Sequence, residues 1–281
     1  MILGHERQRE QLNTILDRYD RGAFLLVGPE GVGKRSVIEA LAREALSRRG
    51  AGVGDRLILV KAEKSLIGKD TAEAIRSIAQ LVTPEPRLII IDEAHRLTAD
   101  AQNRLLKVIE EEPSKTFFFF VTDKLHRLLS TMRSRLATIR FGLVSTEVIA
   151  PWLIEQGHKD REIKLATQIF PGRPGALRRL LEGKARLNLV AKFLDETDSF
   201  KKFMLLERIA KELEFEEALT YLMTFERRHL ADRGKVALTR LRAILELYFE
   251  SGYNLNKGLQ LRNLGLQHYL SFAPANGRAS D

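Results

Sequence analysis

The residues best suited to chemistry lie at the ends of two apolar runs. After Ala23–Val27 comes Gly28-Pro29-Glu30-Gly31-Val32-Gly33-Lys34-Arg35-Ser36, which opens a helical pattern. Glycines at this spacing let backbone N–H groups turn inward around a phosphate chain, and the positive end of the following helix adds to the pull. Lys34 then supplies a point charge to the outer phosphates, so Gly28, Pro29, Gly31, Val32, Gly33, Lys34, Arg35 and Ser36 are the candidate contacts to ATP or ADP. Such a loop wants Ser or Thr directly after the lysine to hold Mg²⁺, and here that position is Arg35. Ser36 lies one residue further on, roughly 100° around the helix. The second run, Arg87–Ile91, ends in Asp92 and Glu93. At the carboxyl edge of a sheet, Asp92 can hold Mg²⁺ through water and Glu93 can polarise an attacking water. His95 reads as a structural residue. The expectation is a site that binds adenine nucleotide and turns it over poorly.

These residues need a rigid frame. Strands are expected at Ala23–Val27, Leu57–Lys61, Arg87–Ile91, Thr116–Val121 and Ala137–Phe141, separated by amphipathic helices at Lys34–Leu46, Asp70–Val82 and Thr98–Glu110. Strand–helix alternation of this kind implies an α/β fold with a parallel sheet covered on both faces. After Gly142 the pattern turns helical: Ser145–Gln156, Lys159–Phe170 and Ala176–Leu187, then a further helical stretch with breaks near Thr197–Ser199, Ala231–Gly234 and Ser251–Asn256. The expected layout is a nucleotide-binding core (1–142), a small helical lid (143–187), a helical collar for oligomerisation (188–272) and a frayed tail (273–281).

Composition narrows the partners. The 281 residues are 44% hydrophobic and 30% charged, which suits a folded chain of one to three domains. No apolar run approaches membrane-spanning length and no signal-like segment opens the sequence, so the chain is expected to be cytoplasmic and free of membranes. The absence of cysteine excludes disulfides and thiolate nucleophiles. A net charge of +9 favours polyanionic partners such as nucleic acid or nucleotide.

A third stretch carries a family resemblance. Asn103, Leu105, Leu106, Lys107, Glu110, Glu111 and Pro113, followed by Thr122, Leu128, Leu129, Thr131, Ser134 and Arg135, resemble the pattern of the AAA+ clamp-loader ATPases, and among them the delta-prime type of bacterial DNA polymerase III. Leu136 stands where the family pattern ends in cysteine. Ile2–Glu6, Ser65–Arg76 and Val144–Glu155 extend the similarity over about the first two-thirds of the chain. The resemblance implies an AAA+ core with lid and collar, in a ring with other clamp-loader subunits that places a sliding clamp on primed DNA. It implies that Thr122 is the sensor-1 residue and that Arg135 reaches across to ATP held by a neighbour.

Three departures qualify the picture. The family's zinc module is missing, since Ser47–Arg56 is short and without cysteine, so no zinc is expected. The lid's sensor-2 arginine falls on Gly175 within Gly172-Arg173-Pro174-Gly175, with Arg173 and Arg178 as alternatives nearby. Arg35 is the third. The lost magnesium hydroxyl and the lost sensor arginine, with Arg135 kept, favour a delta-prime-like subunit over an ATP-hydrolysing motor subunit, whereas the intact Asp92–Glu93 pair favours the motor. An autonomous DNA-binding module is the alternative from another class, motivated by charge alone.

Overall fold

Apolar side chains on both faces of a strand force it between two helical layers, and the central strands of this chain obey this rule. In the computed structural model, the described residues are 2–62, 66–81, 83–111, 115–183 and part of 188–250. The strands β1 (Gly22–Val27), β2 (Leu57–Val60), β3 (Arg87–Ile91), β4 (Thr116–Thr122) and β5 (Ala137–Arg140) form one sheet. Its order is β2-β3-β4-β1-β5 and every pairing is parallel. All five lie where the apolar runs predict, within a residue or two at their ends.

The chain splits into two compact units. The first comprises Met1–Trp152 with Gly172–Ala176. In it the strands alternate strictly. Leu25, Ile89, Ile91, Phe118 and Phe120 face one apolar cluster, which includes residues of α3 (Lys69–Ala79), α4 (Ala99–Glu111) and α5 (Ser130–Arg135). Leu26, Leu88, Ile90, Phe117, Phe119 and Val121 face the other, with α1 (Glu6–Arg18) and α2 (Lys34–Arg48). This is the α/β/α sandwich of an AAA+-like core, followed by helices. Every residue of β4 is buried, and Phe119 stacks between Phe24 and Phe117 at ring distances of 5.4 and 6.1 Å.

One local expectation changes. The stretch between β4 and β5 reads in the sequence as a short helix, Leu125–Thr131, ahead of Arg135; the structure has instead a 3₁₀ turn, Leu125–Arg127, followed by α5. Leu129 has an extended backbone (φ −56°, ψ 143°), which stops any helix from running through, and the extended Leu136 (φ −100°, ψ 130°) makes Arg135 the last residue of α5.

The second unit comprises Leu153–Pro171 and Leu177–Asp281. Helices α6 (Thr146–Glu155), α7 (Asp160–Ile169) and α8 (Pro174–Glu182) occupy the expected helical region. The backbone N–H of Lys159 donates to Glu162 at 3.0 Å, so α7 begins on a capping contact from its own first turn. Farther on, α9 (Leu230–Glu250) is helical on both sides of Gly234, whose φ of 41° breaks it near the expected Ala231–Gly234 boundary. The expected breaks at Thr197–Ser199 and Ser251–Asn256 and the tail 273–281 lie wholly or partly outside the described residues. Among the described residues no helix is long and apolar enough to cross a membrane.

Truncating Phe119 to alanine should cost about 3–5 kcal/mol, because it removes a fully buried ring from the middle strand. Leu143→Ala, at a position 55% exposed, should cost little. Urea unfolding of both variants checks the contrast; equal losses would mean that β4 does not carry the core.

Candidate functional site

Parallel pairing fixes which residues meet. Val27 lies opposite Thr122 and Ile91 opposite Phe120, so the loop after β1, the acids after β3 and the end of β4 emerge at one sheet edge. The Gly28 N–H still donates to the Thr122 carbonyl at 3.4 Å before the chain turns away. Any side chain at Gly28 would collide with the Phe141 carbonyl, only 2.3 Å from an ideal Cβ position. Gly31 and Gly33 take φ of 77° and 104°, which L side chains rarely adopt. Gly33 then caps α2, whose first turn contains Lys34, Arg35 and Ser36 and no acidic residue.

Lys34 is only 6% exposed, and its Nζ donates to the carbonyls of Gly28 and Pro29, both at 2.7 Å. Burial pushes its ammonium pKa down, and Arg173 adds to that shift; the charges of Asp123, Asp92 and Glu30 oppose it. An incoming polyphosphate would meet a buried cation at the opening of a helix. The side chains and loop glycines fit such a ligand. Val32 is buried, and its carbonyl accepts the His5 Nε2–H at 2.9 Å. His5 (φ 63°) also meets Phe141 edge-on at 4.9 Å, so the N-terminal segment is latched onto the loop. Ser36 is exposed on α2.

The acids are already engaged. Asp92 Oδ2 accepts Arg35 Nη1 at 3.0 Å, and Oδ1 accepts the Glu93 N–H at 3.0 Å. Glu93 holds a left-handed backbone (φ 49°) and pairs with Arg96 at 3.3 Å. Burial raises the Glu93 carboxyl pKa, with Asp92, Asp123 and Glu30 adding to the rise and Arg96 opposing it. Thr122 is buried; its hydroxyl oxygen accepts the Lys124 N–H at 3.0 Å and lies 3.2 Å from His95 Nδ1. The same nitrogen is 3.2 Å from Asp123 Oδ1.

Sequence reasoning therefore missed His95 and Asp123 as members of this edge. Their positions, three residues after Asp92 and directly after Thr122, were the available signal. It also left Arg173 undecided. That side chain lies near enough to Lys34 to disfavour its charge, and its buried Nε has no hydrogen-bond partner. Gly175, at the expected sensor-2 position, instead donates its N–H to the Gly31 carbonyl at 2.8 Å. A Cβ there would press on that carbonyl at 3.1 Å, so the position serves as backbone packing on the loop.

Arg135 stands elsewhere, exposed at the end of α5. It is ion-paired through Nε to Glu110 of α4, and Nη1 donates to the Thr131 carbonyl at 3.3 Å. Buried Met132 and Leu136 pin the backbone on either side of it.

Residues 4–144 match the family described as "DNA polymerase III, delta subunit". The chain is 29% identical over 203 residues to the DNA polymerase III subunit delta' of Escherichia coli K12, covering 62% of this chain and 60% of that protein. It is 31% identical over 145 residues to replication factor C subunit 3 of Saccharomyces cerevisiae, covering 50% and 43%. The chain spans about half the length of the curated relatives it matches. Among solved structures, a DNA polymerase III gamma subunit-related protein of Thermotoga maritima superposes with a TM-score of 0.59 at 18% identity. That likeness covers 94% of this chain and 99% of the other, and it speaks to the fold alone.

The raised Glu93 pKa has a signed consequence. Below the ordinary value of 4.5 the carboxyl is protonated in folded and unfolded chains alike, and no penalty arises. As pH climbs through the raised native value, ionisation costs the folded state more than the unfolded one. Glu93→Gln should therefore be modestly more stable than the parent at pH 7, and the gain should shrink as pH falls toward 4.5 and vanish below it. Urea unfolding from below pH 4.5 up to neutral pH tests it; a pH-independent difference refutes the linkage.

Proposed function

The chain belongs to the DNA polymerase III delta-subunit family, AAA+ clamp-loader subunits related to the replication factor C small subunits, and from that premise we propose that it acts as a delta-prime-type subunit. In this reading it joins other clamp-loader subunits, takes ATP or ADP in the Gly28–Ser36 loop, and lends Arg135 to a neighbour's ATP while hydrolysing little itself. Through the complex it serves the loading of a sliding clamp on primer-template DNA.

The observation that carries this reading is the presentation of Arg135. Its backbone is held by buried Met132 and Leu136, yet its guanidinium is exposed, with Glu110 and the Thr131 carbonyl as its partners within the chain. A planar, permanently charged fork on a rigid base is what stabilising charge on a phosphoryl group in a neighbouring subunit requires. The exposed Glu110 pair is weak enough to exchange for a phosphate. A motor role is disfavoured by Arg35 on Asp92, which leaves the Asp92–Glu93 pair without the free carboxylate that argued for it. Thr122, buried beside His95 and Asp123 at the same edge, suits a residue that registers the outer phosphate.

For the remaining chain we propose residues 1–142 as the nucleotide core, 143–187 as the lid and 188–272 as the collar through which the subunit joins the ring.

Arg135→Ala should leave this chain folded, able to bind its own nucleotide and able to assemble. The reconstituted complex should lose ATP turnover at the adjacent motor subunit; single-site arginine fingers contribute roughly 10³–10⁵ in rate, and a ring with several sites should lose less. Arg135→Lys should restore little. Normal turnover and clamp loading by the Arg135→Ala complex would exclude the trans-acting role.

A second expectation concerns the collar. A fragment ending at Leu187 should fold yet fail to co-purify with the other subunits. Unchanged assembly would place the oligomerisation surface in the first 187 residues.

A further inference from the structure

A P-loop site binds its magnesium with few protein groups, chiefly the hydroxyl after the lysine and an acid from a neighbouring strand. Neither is on offer here. The hydroxyl position is Arg35, and Asp92 has both oxygens committed, Oδ2 to the Arg35 guanidinium and Oδ1 to the Glu93 backbone. The carboxylate is only 17% exposed and its guanidinium partner 39%, so the pair sits partly shielded rather than waving in solvent. Magnesium demands near-ideal octahedral oxygen coordination and dehydrates reluctantly. A fixed positive charge 3.0 Å from Asp92, the acid at the metal-ligand position, repels it further. The residues present do not fit the metal.

They fit an anion better. The first turn of α2 holds two successive cations, Lys34 and Arg35, and no acid, although the helix dipole favours negative charge at that end. Lys34 is buried, and Arg173 adds a third positive group close enough to disfavour its charge. Arg35 is braced from its own helix by Glu39, 3.9 Å from Nε, which in turn pairs with Arg43 at 3.0 Å. A guanidinium carries five N–H donors, so one can stay on Asp92 while others reach phosphate oxygens.

We propose that Arg35 replaces the divalent ion: the chain takes a nucleoside di- or triphosphate without metal, with the Arg35–Asp92 pair standing where a P-loop ATPase holds Mg²⁺. This rests on the reading of the Gly28–Ser36 loop as a nucleotide site. A guanidinium carries charge but no coordination sphere, so it neutralises phosphate without holding a water in line. Asp92 becomes a counter-ion that competes with phosphate for Arg35 rather than a metal ligand, and that reverses the sign expected of its substitution.

The experiment is calorimetric titration of the full chain with ADP and with ATP, in MgCl₂ and in EDTA. The expected dissociation constants agree within about threefold between the two conditions. Arg35→Thr, which supplies the missing hydroxyl, should weaken binding in EDTA and make it magnesium-dependent by about tenfold or more. Asp92→Asn should leave metal-free binding intact or tighten it, because it releases the guanidinium. Melting curves of each variant without nucleotide confirm folding, and the wild-type comparison needs no variant at all. Wild-type binding that collapses in EDTA overturns this inference and leaves the nucleotide reading standing. Arg35→Thr binding in EDTA as tightly as wild type, or Asp92→Asn weakening metal-free binding, overturns it as well. No binding of either nucleotide in either buffer overturns the inference together with the nucleotide reading.

Discussion

The pairing of β1 with β4 is the constraint on which the rest of the structure depends. Six residues run in parallel register from Gly22↔Phe117 to Val27↔Thr122, and both strands are hydrogen-bonded on their other sides as well, β4 to β3 and β1 to β5. Because a parallel sheet buries both faces, a shift of one residue would turn Phe117, Phe119 and Val121 out of one core and Phe118 and Phe120 out of the other. The register is therefore tightly held. It is this register that sets Thr122 beside the start of the loop and brings the acids after β3 within reach of α2.

Given that frame, the sheet edge is governed by charge balance. The charges of Asp92, Asp123 and Glu30 bear on both Lys34 and Glu93, opposing the fall in the Lys34 pKa and adding to the rise in that of Glu93. Lys34 is held by carbonyls and Asp92 by Arg35, while the edge presents a surplus of donors at a helix start. His95 ties Thr122 to Asp123 beneath this arrangement, and the left-handed turn at Glu93 gives it the reach to do so, since it redirects the chain immediately after β3. A loop that can greet phosphate, beside acids that are already spoken for, favours holding a nucleotide over cleaving it.

Arg135 belongs to a different economy of contacts. It is exposed, carried on a six-residue helix that ends directly before the edge strand β5, and answered within the chain by Glu110. Under the proposed function, the loop and Arg135 are two separate places fixed by one sheet. That separation is what a subunit needs if it holds one nucleotide and acts on another.

The five strands, the glycine-rich loop, the paired acids and the position of Arg135 were legible in the sequence, because periodicity, glycine spacing and chain order are local properties. Local too was the recognition that Arg35 occupies the metal-ligand position. Its partner was not: Asp92 lies 57 residues away, and only the β3-β4-β1 order brings it to 3.0 Å. The same holds for the Gly175 N–H on Gly31, the proximity of Arg173 to Lys34 and the Glu110 partner of Arg135. Even the short helix before β5 began later than its composition suggested, because Leu129 adopts an extended backbone that propensity does not reveal. The sequence by itself determined which groups could do chemistry. Only the tertiary structure decided which of them neutralise one another, because a charge's partner depends on distance through the fold and not along the chain.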